Sequence, residues 1–216
     1  MPRINAEYRE DAKRKIVDAA IDVAAEDGWG SLTLDAIARK VGVTKGAFYS
    51  YYKSSRELMQ DVFLMLVRRI RDHVLANLEQ EENIDSALEQ IADFIFLQPK
   101  PFIPVFLQAI ASMPKDPALQ KKVADLFDEN NALICAAIRR FQDNGQIPRE
   151  VDLEIVAMAI YPLTIGLGMI THVMGKDPKK ARKTWLHTVR RILMIEPSQK
   201  KHGNSNRRAT QSEPAR

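Results

Sequence analysis

Apolar residues recur at helical spacing in three short runs near the N-terminus, and residues that start or stop helices separate the runs. Thr33 is suited to cap the first of these helices, and Gly42 supplies the backbone freedom that ends it. Thr44 can cap a second helix about two turns long. Ser54 with Glu57 three residues later predicts a capping box at the start of another helix. The pattern therefore predicts helix, tight turn, short helix and a newly capped helix.

Helical spacing continues along the rest of the chain, and no segment has a convincing strand pattern. Further helices are predicted at 55–80, 85–97, 101–113, 117–143, 151–174 and 178–195. Prolines and the Asn144-Gly145 pair lie between these segments, where they end one helix and allow the next to begin. With an Ala-rich helix at the N-terminus, the prediction is an all-α chain of nine helices.

The eighth predicted helix contains the longest uncharged segment, 21 residues between Glu154 and Lys176. That length is sufficient to cross a bilayer, and the lysines that follow would suit a membrane boundary. Pro162, His172 and the absence of a second such segment argue against this interpretation. A helix that is apolar on all sides is equally expected where one face packs on its own domain and the other on a partner subunit. We expect that second arrangement and no membrane contact.

The overall composition is that of an ordinary globular protein, with 216 residues of which 45% are apolar and 28% charged. The net charge of +4 does not by itself indicate nucleic-acid binding, because the excess lies near the C-terminus. Residues 176–196 carry seven basic and two acidic side chains, and residues 197–216 carry five and one. The last 20 residues lack an apolar pattern, which predicts a disordered basic tail.

The single cysteine, Cys135, excludes a disulfide within the chain. Its apolar neighbours favour a buried inert thiol over a redox switch, since no adjacent base would lower its pKa. The N-terminus has no signal-peptide pattern, so a cytoplasmic location is expected. The four histidines lie in unrelated segments, and no metal-binding, nucleophile or phosphate-cradling motif occurs. We therefore expect neither enzyme activity nor a cofactor or metal.

Charge becomes informative only around the second and third helices. From position 39 to position 56 there are five basic residues and no acidic one: Arg39, Lys40, Lys45, Lys53 and Arg56. Such a segment attracts phosphate. Between the charges lie small residues, which allow close approach to a DNA groove, and hydroxyl groups that can reach phosphates or base edges. These residues are Thr44, Gly46, Ala47, Tyr49, Ser50 and Tyr51.

Phe48 and Tyr52 are four residues apart and are predicted to face inward as core. The alternative interpretation is an ordinary surface helix pair with a chance run of basic residues. Charge runs are usually solvated, but they seldom coincide with the spacing of a helix-turn-helix. We therefore predict a DNA-binding element.

At these residues the chain resembles the DNA-binding domain of TetR/AcrR-family transcriptional regulators. The resemblance covers about residues 9 to 60 and keeps the order of the motif, which is carried by Gly28-Trp29, Thr33, Ile37-Ala38, Gly42-Val43-Thr44, Gly46, Phe48-Tyr49, Tyr52 and Glu57-Leu58. It implies that Lys45, Gly46 and Tyr49 contact bases or adjacent phosphates. It also implies contacts to the DNA backbone from Thr33, Thr44, Ser50, Tyr51 and Lys53.

One position departs from the pattern. Ser55 stands where many members have a lysine, so that phosphate contact would have to come from Lys53 or Arg56. Beyond residue 60 the resemblance is one of size and helix order. It implies a helix-turn-helix domain over 1–54 and a six-helix ligand-binding and dimerisation bundle over 55–196, followed by the tail over 197–216.

The resemblance also implies an effector pocket and a dimer interface. Most Phe and Met residues of the bundle are core, but some would line an apolar pocket with a few polar anchors. The candidates are Phe94, Phe106, Gln108, Phe127, Asn131, Met158, Tyr161 and Thr164. The last two helices are expected to form the dimer interface as a four-helix bundle. The candidates there are Ile165, Met169, Trp185, Leu186, Val189 and Ile192.

The function expected is that of a sequence-specific DNA-binding transcriptional regulator. By the resemblance it would be a homodimeric repressor that binds a palindromic operator in double-stranded DNA and is released by a small apolar or amphipathic effector. The alternative is a helical protein-interaction or membrane-attached adaptor that uses its three-helix module to bind protein.

Overall fold

A computed structural model of the chain describes residues 6–99, 102–112 and 117–195. All regular elements within these residues are helices, so the predicted all-α class is confirmed. They are α1 (Ala6–Asp27), a 3-10 helix (Trp29–Ser31), α2 (Leu34–Val41), α3 (Lys45–Phe48), α4 (Ser55–Gln80), α5 (Ile84–Phe96), α6 (Phe102–Ser112), α7 (Pro117–Asp143), α8 (Leu153–His172) and α9 (Pro178–Ile192). The predicted tail over 197–216 lies outside the described residues.

The expected count of nine helices was slightly off. Within the described ranges eight helices have eight residues or more, whereas α3 is a single turn of four residues and the 3-10 helix was not predicted. The predicted two turns of α3 are shorter in the structure, where the carbonyl of Phe48 accepts from the amides of Tyr51 and Tyr52 at 2.9 and 3.2 Å. The helix ends there in a tight turn.

The helix ends near the N-terminus form as the sequence predicts. The Thr33 hydroxyl accepts a hydrogen bond from the Ala36 amide at 3.1 Å and caps α2. Gly42 ends α2 in the left-handed region at φ 76°, with its amide directed back to the carbonyl of Ala38. These two caps fix the length of α2 and the direction in which the chain enters α3.

The start of α4 has the predicted capping residues with one difference in detail. The Ser54 hydroxyl accepts from the Glu57 amide at 3.2 Å. The Glu57 carboxylate accepts from the amide of Lys53 at 2.9 Å, one residue before the cap. The pair therefore joins the end of the α3 turn to the first turn of α4.

Two apolar clusters form the core. The head core combines the N-terminal head, residues 6–54, with side chains from two later helices. Phe48 and Tyr52 are buried in it, which confirms their predicted inward direction. Leu58, Val62, Phe63 and Leu66 of α4 and Val105, Phe106 and Ala109 of α6 complete it. The head therefore has no separate core of its own.

The body core is formed by α5, α7, α8, α9 and the last turns of α4. At 26 residues, α4 is about 39 Å long and leads from the head to the opposite end, called here the far end. There Gln146 accepts from the Ile84 amide at 2.9 Å and donates to the Glu82 carbonyl at 2.8 Å. Arg140 donates to the carbonyls of Leu78 and Glu81. These bonds fasten the α4–α5 turn to α7.

An ion-pair ladder fixes α9 antiparallel to α5. Arg190 pairs with Asp85 at 2.5 Å and with Glu89 at 2.7 Å, and Arg182 pairs with Glu89 and Asp93. Burial raises the pKa of Glu89, but the hydrogen bonds from the two arginines outweigh it and lower the pKa overall. Because α5 begins at the far end and runs back toward α6, α9 begins at the head end.

α8 approaches α6 closely at Gly168. A Cβ built at Gly168 would lie 2.8 Å from Cγ1 of Ile103, which is fully buried and has no room to move. A Cβ built at Gly166, on the same helix, would meet nothing within 4 Å. The glycine at 168 is therefore required by packing between α6 and α8.

We expect Gly168→Ala to lower the free energy of unfolding by about 1–3 kcal/mol, because the added methyl overpacks a filled core. Gly166→Ala is the matched control and should lose nothing, since alanine favours the helix by up to about 1 kcal/mol. Urea unfolding followed by circular dichroism measures both. Equal stability of the two variants would contradict the close contact.

Candidate nucleic-acid interface and the adjoining cavity

The α3 turn presents a polar surface over a buried aromatic pair. Phe48 and Tyr52 lie beneath it with ring centroids 5.6 Å apart. Tyr49 is 51% exposed and stands edge-on to Phe48, with ring centroids at 6.4 Å. Because Tyr49 rests on a rigid ring, its hydroxyl is held outward, where a DNA groove can be reached.

The other predicted DNA-contacting residues surround Tyr49 in different ways. The exposed ones are Thr33, Thr44, Gly46, Ser50, Lys53 and Arg56. Tyr51 is half-buried against the head core. The Thr33 hydroxyl already accepts from Ala36, which leaves its hydrogen to donate to a phosphate. The side chains of Lys45 and Ala47 lie outside what the structure describes.

The start of α1 supports the end of the turn. The Arg9 guanidinium donates to the carbonyl of Ser50 at 3.3 Å. The Lys13 ammonium lies 5.3 Å from the centre of the Tyr52 ring, within range of a cation–π contact. Both contacts place positive charge beside the exposed turn, and the sequence analysis did not include either residue in the interface.

The segment from 39 to 56 contains no acidic residue, but in the folded chain an acidic side chain from α1 lies beside it. The Lys40 ammonium lies 2.6 Å from a carboxylate oxygen of Glu26, which α1 brings alongside α2. That hydrogen bond raises the pKa of Lys40. Lys40 is therefore engaged within the head, whereas Arg39 and Lys53 are exposed.

A cavity of about 200 Å³ lies between the head core and the body core. Its lining comes from six helices, α4 to α9, and is mostly apolar and aromatic. Phe63 and Phe106 belong both to this lining and to the head core, and their rings stack at 5.7 Å between centroids. The cavity and the head therefore share a wall.

Five of the eight predicted pocket residues line this cavity: Phe106, Phe127, Asn131, Tyr161 and Thr164. Phe127 and Tyr161 meet edge to face at 4.9 Å. Burial raises the pKa of Tyr161, so its hydroxyl is a neutral donor or acceptor. Thr164 is less available, since its hydroxyl accepts from the Trp185 indole at 2.8 Å and donates to the Ile160 carbonyl at 2.8 Å.

The other three candidates, Phe94, Gln108 and Met158, lie outside the lining of this cavity. Phe94 stacks on His73 at 3.7 Å and on Phe102 at 5.5 Å. Gln108 faces the head, where its side-chain oxygen lies 3.5 Å from a Cβ built on Gly28. Met158 is 57% exposed on the outer face of α8. Helical spacing alone does not distinguish these faces.

The sequence analysis also missed lining residues. Phe63, Val67, Ile70 and Val74 form one stripe of α4 in the wall, and Arg71 is the one charged residue among the lining. Arg71 bonds Asp72 at 2.8 Å and Glu129 at 3.3 Å, so its charge is already balanced. The spacing of the α4 stripe, at intervals of three and four residues, was the available signal.

The predicted dimer interface needs a larger correction. Trp185, Leu186 and Val189 are at most 3% exposed and form part of the body core, so a partner cannot reach them. Ile165 and Ile192 are half-buried. Trp185→Glu or Val189→Glu would therefore place a charge in the body core and disturb folding. α9 directs its apolar stripe inward because α5 holds its basic face through the ion-pair ladder.

A cluster of exposed apolar side chains belongs to one face of α8 and the turn after it. It comprises Ile155, Met158, Met169, Ile170, Val173 and Met174 and is called here the α8 face. Ile155 is 67% exposed and Val173 is 59% exposed. The opposite side of the helix, with Val156, Ala157 and Gly168, is buried. Among the described residues, α8 is also long and apolar enough to span a membrane.

Cys135 has the environment of a structural thiol. It is buried in the body core, and its sulfur donates to the Leu153 carbonyl at 3.3 Å. Burial raises the pKa of the thiol, which keeps it protonated and weakly reactive. This agrees with the inert role expected from the sequence.

An exposed polar turn held over a buried aromatic pair by capped helices is the geometry of a helix-turn-helix DNA-binding protein. Comparison with known proteins identifies the group. The sequence model described as "Bacterial regulatory proteins, tetR family" matches residues 16–62. Those residues run from α1 into the first part of α4.

Relatives with established names extend the similarity along the chain. The HTH-type transcriptional regulator SrpR of Pseudomonas putida is 25% identical over 168 residues, which cover 77% of this chain and 78% of that protein. The probable acrEF/envCD operon repressor of Escherichia coli K12 is 23% identical over 203 residues, covering 84% and 86%. The crystal structure of a putative transcriptional regulator from Rhodococcus sp. RHA1 superposes with a TM-score of 0.71 at 16% identity, covering 85% and 96%. The chain therefore has the DNA-binding head of TetR-family regulators, and over most of its length it is similar to DNA-binding transcriptional regulators.

Proposed function

We propose that the protein is a homodimeric repressor that acts in the cytoplasm, binds a palindromic operator and is released from it by a small apolar effector. The observation that carries the proposal is the shared wall formed by Phe63 and Phe106, because it connects an apolar cavity directly to the DNA-binding head. The similar Escherichia coli protein is named as a probable operon repressor. An activator would need the same DNA contacts as a repressor. DNA binding is therefore the step to test first.

The proposed DNA contact is the exposed side of the α3 turn, centred on Tyr49. One turn of helix can contact only a few base pairs, so one head alone would bind weakly. Two heads related by a two-fold axis can occupy successive major grooves about 34 Å apart, which is why a palindromic operator is proposed.

Tyr49→Ala and Lys45→Ala should each weaken operator binding by about tenfold to a hundredfold, as expected for the loss of one contact in a groove. Fluorescence anisotropy on fragments from upstream of the gene, across a salt series, measures this. Lys122→Ala removes an exposed lysine from α7 and is the control that should change little. Weak binding that is equal on all fragments and unchanged in the variants would contradict the proposal.

The α8 face is the surface proposed for dimerisation. Six large apolar side chains on one helix face exceed what a soluble surface usually leaves uncovered in one place. A two-fold axis beside α8 would let this face cover itself with its own copy. The proposed interface therefore lies on the outer side of α8. It does not include the buried stripe of α9, which the family resemblance had placed in the interface.

Ile155→Glu combined with Val173→Glu should convert the dimer to monomers, because charges at these positions have no partner in an apolar interface. Loss of the second head should reduce operator affinity about a hundredfold. Sedimentation velocity and anisotropy report the two effects. Leu133→Glu changes an apolar residue that is 40% exposed on α7 and should leave both unchanged. A double variant that still sediments as a dimer would exclude this face.

The effector proposed for the cavity is uncharged and largely apolar. The one charged lining residue, Arg71, is already balanced by Asp72 and Glu129. A charged ligand would therefore lose hydration without gaining a free ion-pair partner. Tyr161 and Asn131 supply neutral hydrogen-bonding groups among the lining. Because α6 contacts both the cavity and the head, a ligand that displaces Phe106 would shift the support of the head.

Filling the cavity tests this part of the proposal. Ala157 lines the cavity and is buried, so Ala157→Leu should reduce the affinity for a neutral apolar dye such as Nile red at least about fivefold by occupying its space. Ala132→Leu, on the exposed side of α7, should bind the dye like the wild type. Fluorescence titration measures both. Equal dye affinities in the two variants would show that the cavity is not the binding site.

A membrane-attached adaptor is the competing function, and the α8 face is the observation that favours it. Against it, the other side of α8 is packed into the body core, and Gly168 is in contact with α6. Insertion into a membrane would open that core. Flotation of the purified protein with neutral liposomes, without detergent, distinguishes the adaptor from a soluble dimer.

A further inference from the structure

The beginning of α9 carries a cluster of exposed lysines that the proposed function does not use. Lys176 lies in the turn before the helix, and Lys179, Lys180 and Lys183 lie on its first two turns. They are called here the lysine patch. No ion pair joins them to another of the described side chains.

Two other basic residues of α9 differ in this respect. Arg182 and Arg190 are neutralised by the acidic side chains of α5, and they hold the two helices together. The lysine patch makes no such contribution to the fold. Asp177 lies among the four lysines, and the segment still has an excess of positive charge, which external anions or salt screen.

The topology places the patch at the head end of the body. Arg190 lies beside Asp85, at the far end, and Arg182 lies beside Asp93, near the end of α5 that leads into α6. The lysines lie at or before that second position along α9. The C-terminal half of α8, which leads into the patch, packs on α6, and α6 contributes to the head core.

The patch also borders the proposed dimer interface. Val173 of the α8 face precedes Lys176 by three residues. In a dimer formed through that face, the two patches would approach the two-fold axis on the side of the heads. Eight lysines would then meet, an arrangement that a polyanion between the heads stabilises and that is otherwise unfavourable.

We propose that the lysine patch is an auxiliary DNA-binding surface, which binds backbone phosphates at the centre of the operator, between the two half-sites. This rests on the proposed dimeric operator binding. Ammonium groups on flexible stems contact phosphates without reading bases, so the patch adds affinity and salt dependence but no sequence preference.

The test compares two charge-matched variants. The first is Lys179→Gln/Lys180→Gln/Lys183→Gln. The second removes three exposed arginines near the far end, Arg139→Gln/Arg149→Gln/Arg191→Gln. Both lower the charge of a dimer equally, so any general electrostatic effect is shared. Each phosphate contact that is lost lowers the slope of log affinity against log salt by about 0.9.

The lysine variant should lower that slope by about two to five and weaken operator binding at least about tenfold at low salt, with the preference for the palindrome retained. The arginine variant should change the slope by less than about one. Hydroxyl-radical footprinting should show protection at the operator centre for the wild type and the arginine variant only.

Equal slopes in the two variants, or an unprotected operator centre in the wild type, would overturn the proposal while leaving the dimeric regulator intact. Dissociation of the lysine variant into monomers in sedimentation velocity would also overturn it, because the patch would then belong to the subunit contact. Absence of saturable, sequence-selective binding by the wild type would instead refute the proposed function on which the patch depends.

Discussion

The stacked pair of Phe63 and Phe106 is the contact on which the rest of the structure depends. Both rings are buried in the head core, and both line the cavity. Because packed interiors are dense and poorly compressible, a displacement on the cavity side has to be accommodated on the head side. The head has no separate core that could absorb it, since α4 and α6 complete its apolar cluster. The connection between the cavity and the DNA-binding turn therefore consists of shared side chains.

Features set by residues within a few positions of one another could be predicted from the sequence. Thr33 and Ser54 cap their helices, Gly42 adopts the left-handed conformation, and Phe48 and Tyr52 turn inward. In each case the deciding interaction joins residues at most four positions apart, so local spacing contains the necessary information. The same holds for the proline-bounded helices of the body, which begin and end within a few residues of the predicted limits.

Features set by contacts between distant segments could not be predicted in this way. The family resemblance implied that Trp185 and Val189 lie at a subunit interface, but α9 packs on α5 through its ion pairs and that stripe is buried in the core. α8 is apolar all round, so its periodicity does not show which side is covered. Lys40 was counted as a free positive charge, whereas Glu26, 14 positions away, lies against it. Three of the eight pocket candidates lie outside the cavity lining for the same reason, since six helices contribute to that lining.

The two ends of the body differ in the balance of polar and apolar contacts that hold them. At the far end Gln146, Arg140 and Arg190 make hydrogen bonds and ion pairs that fit one register of the helices. At the head end α4 and α6 meet the head through apolar side chains and also through the ion pair between Arg69 of α4 and Asp18 of α1. Under the proposed function, a ligand in the cavity would act on the head through the apolar contacts that Phe63 and Phe106 share with both.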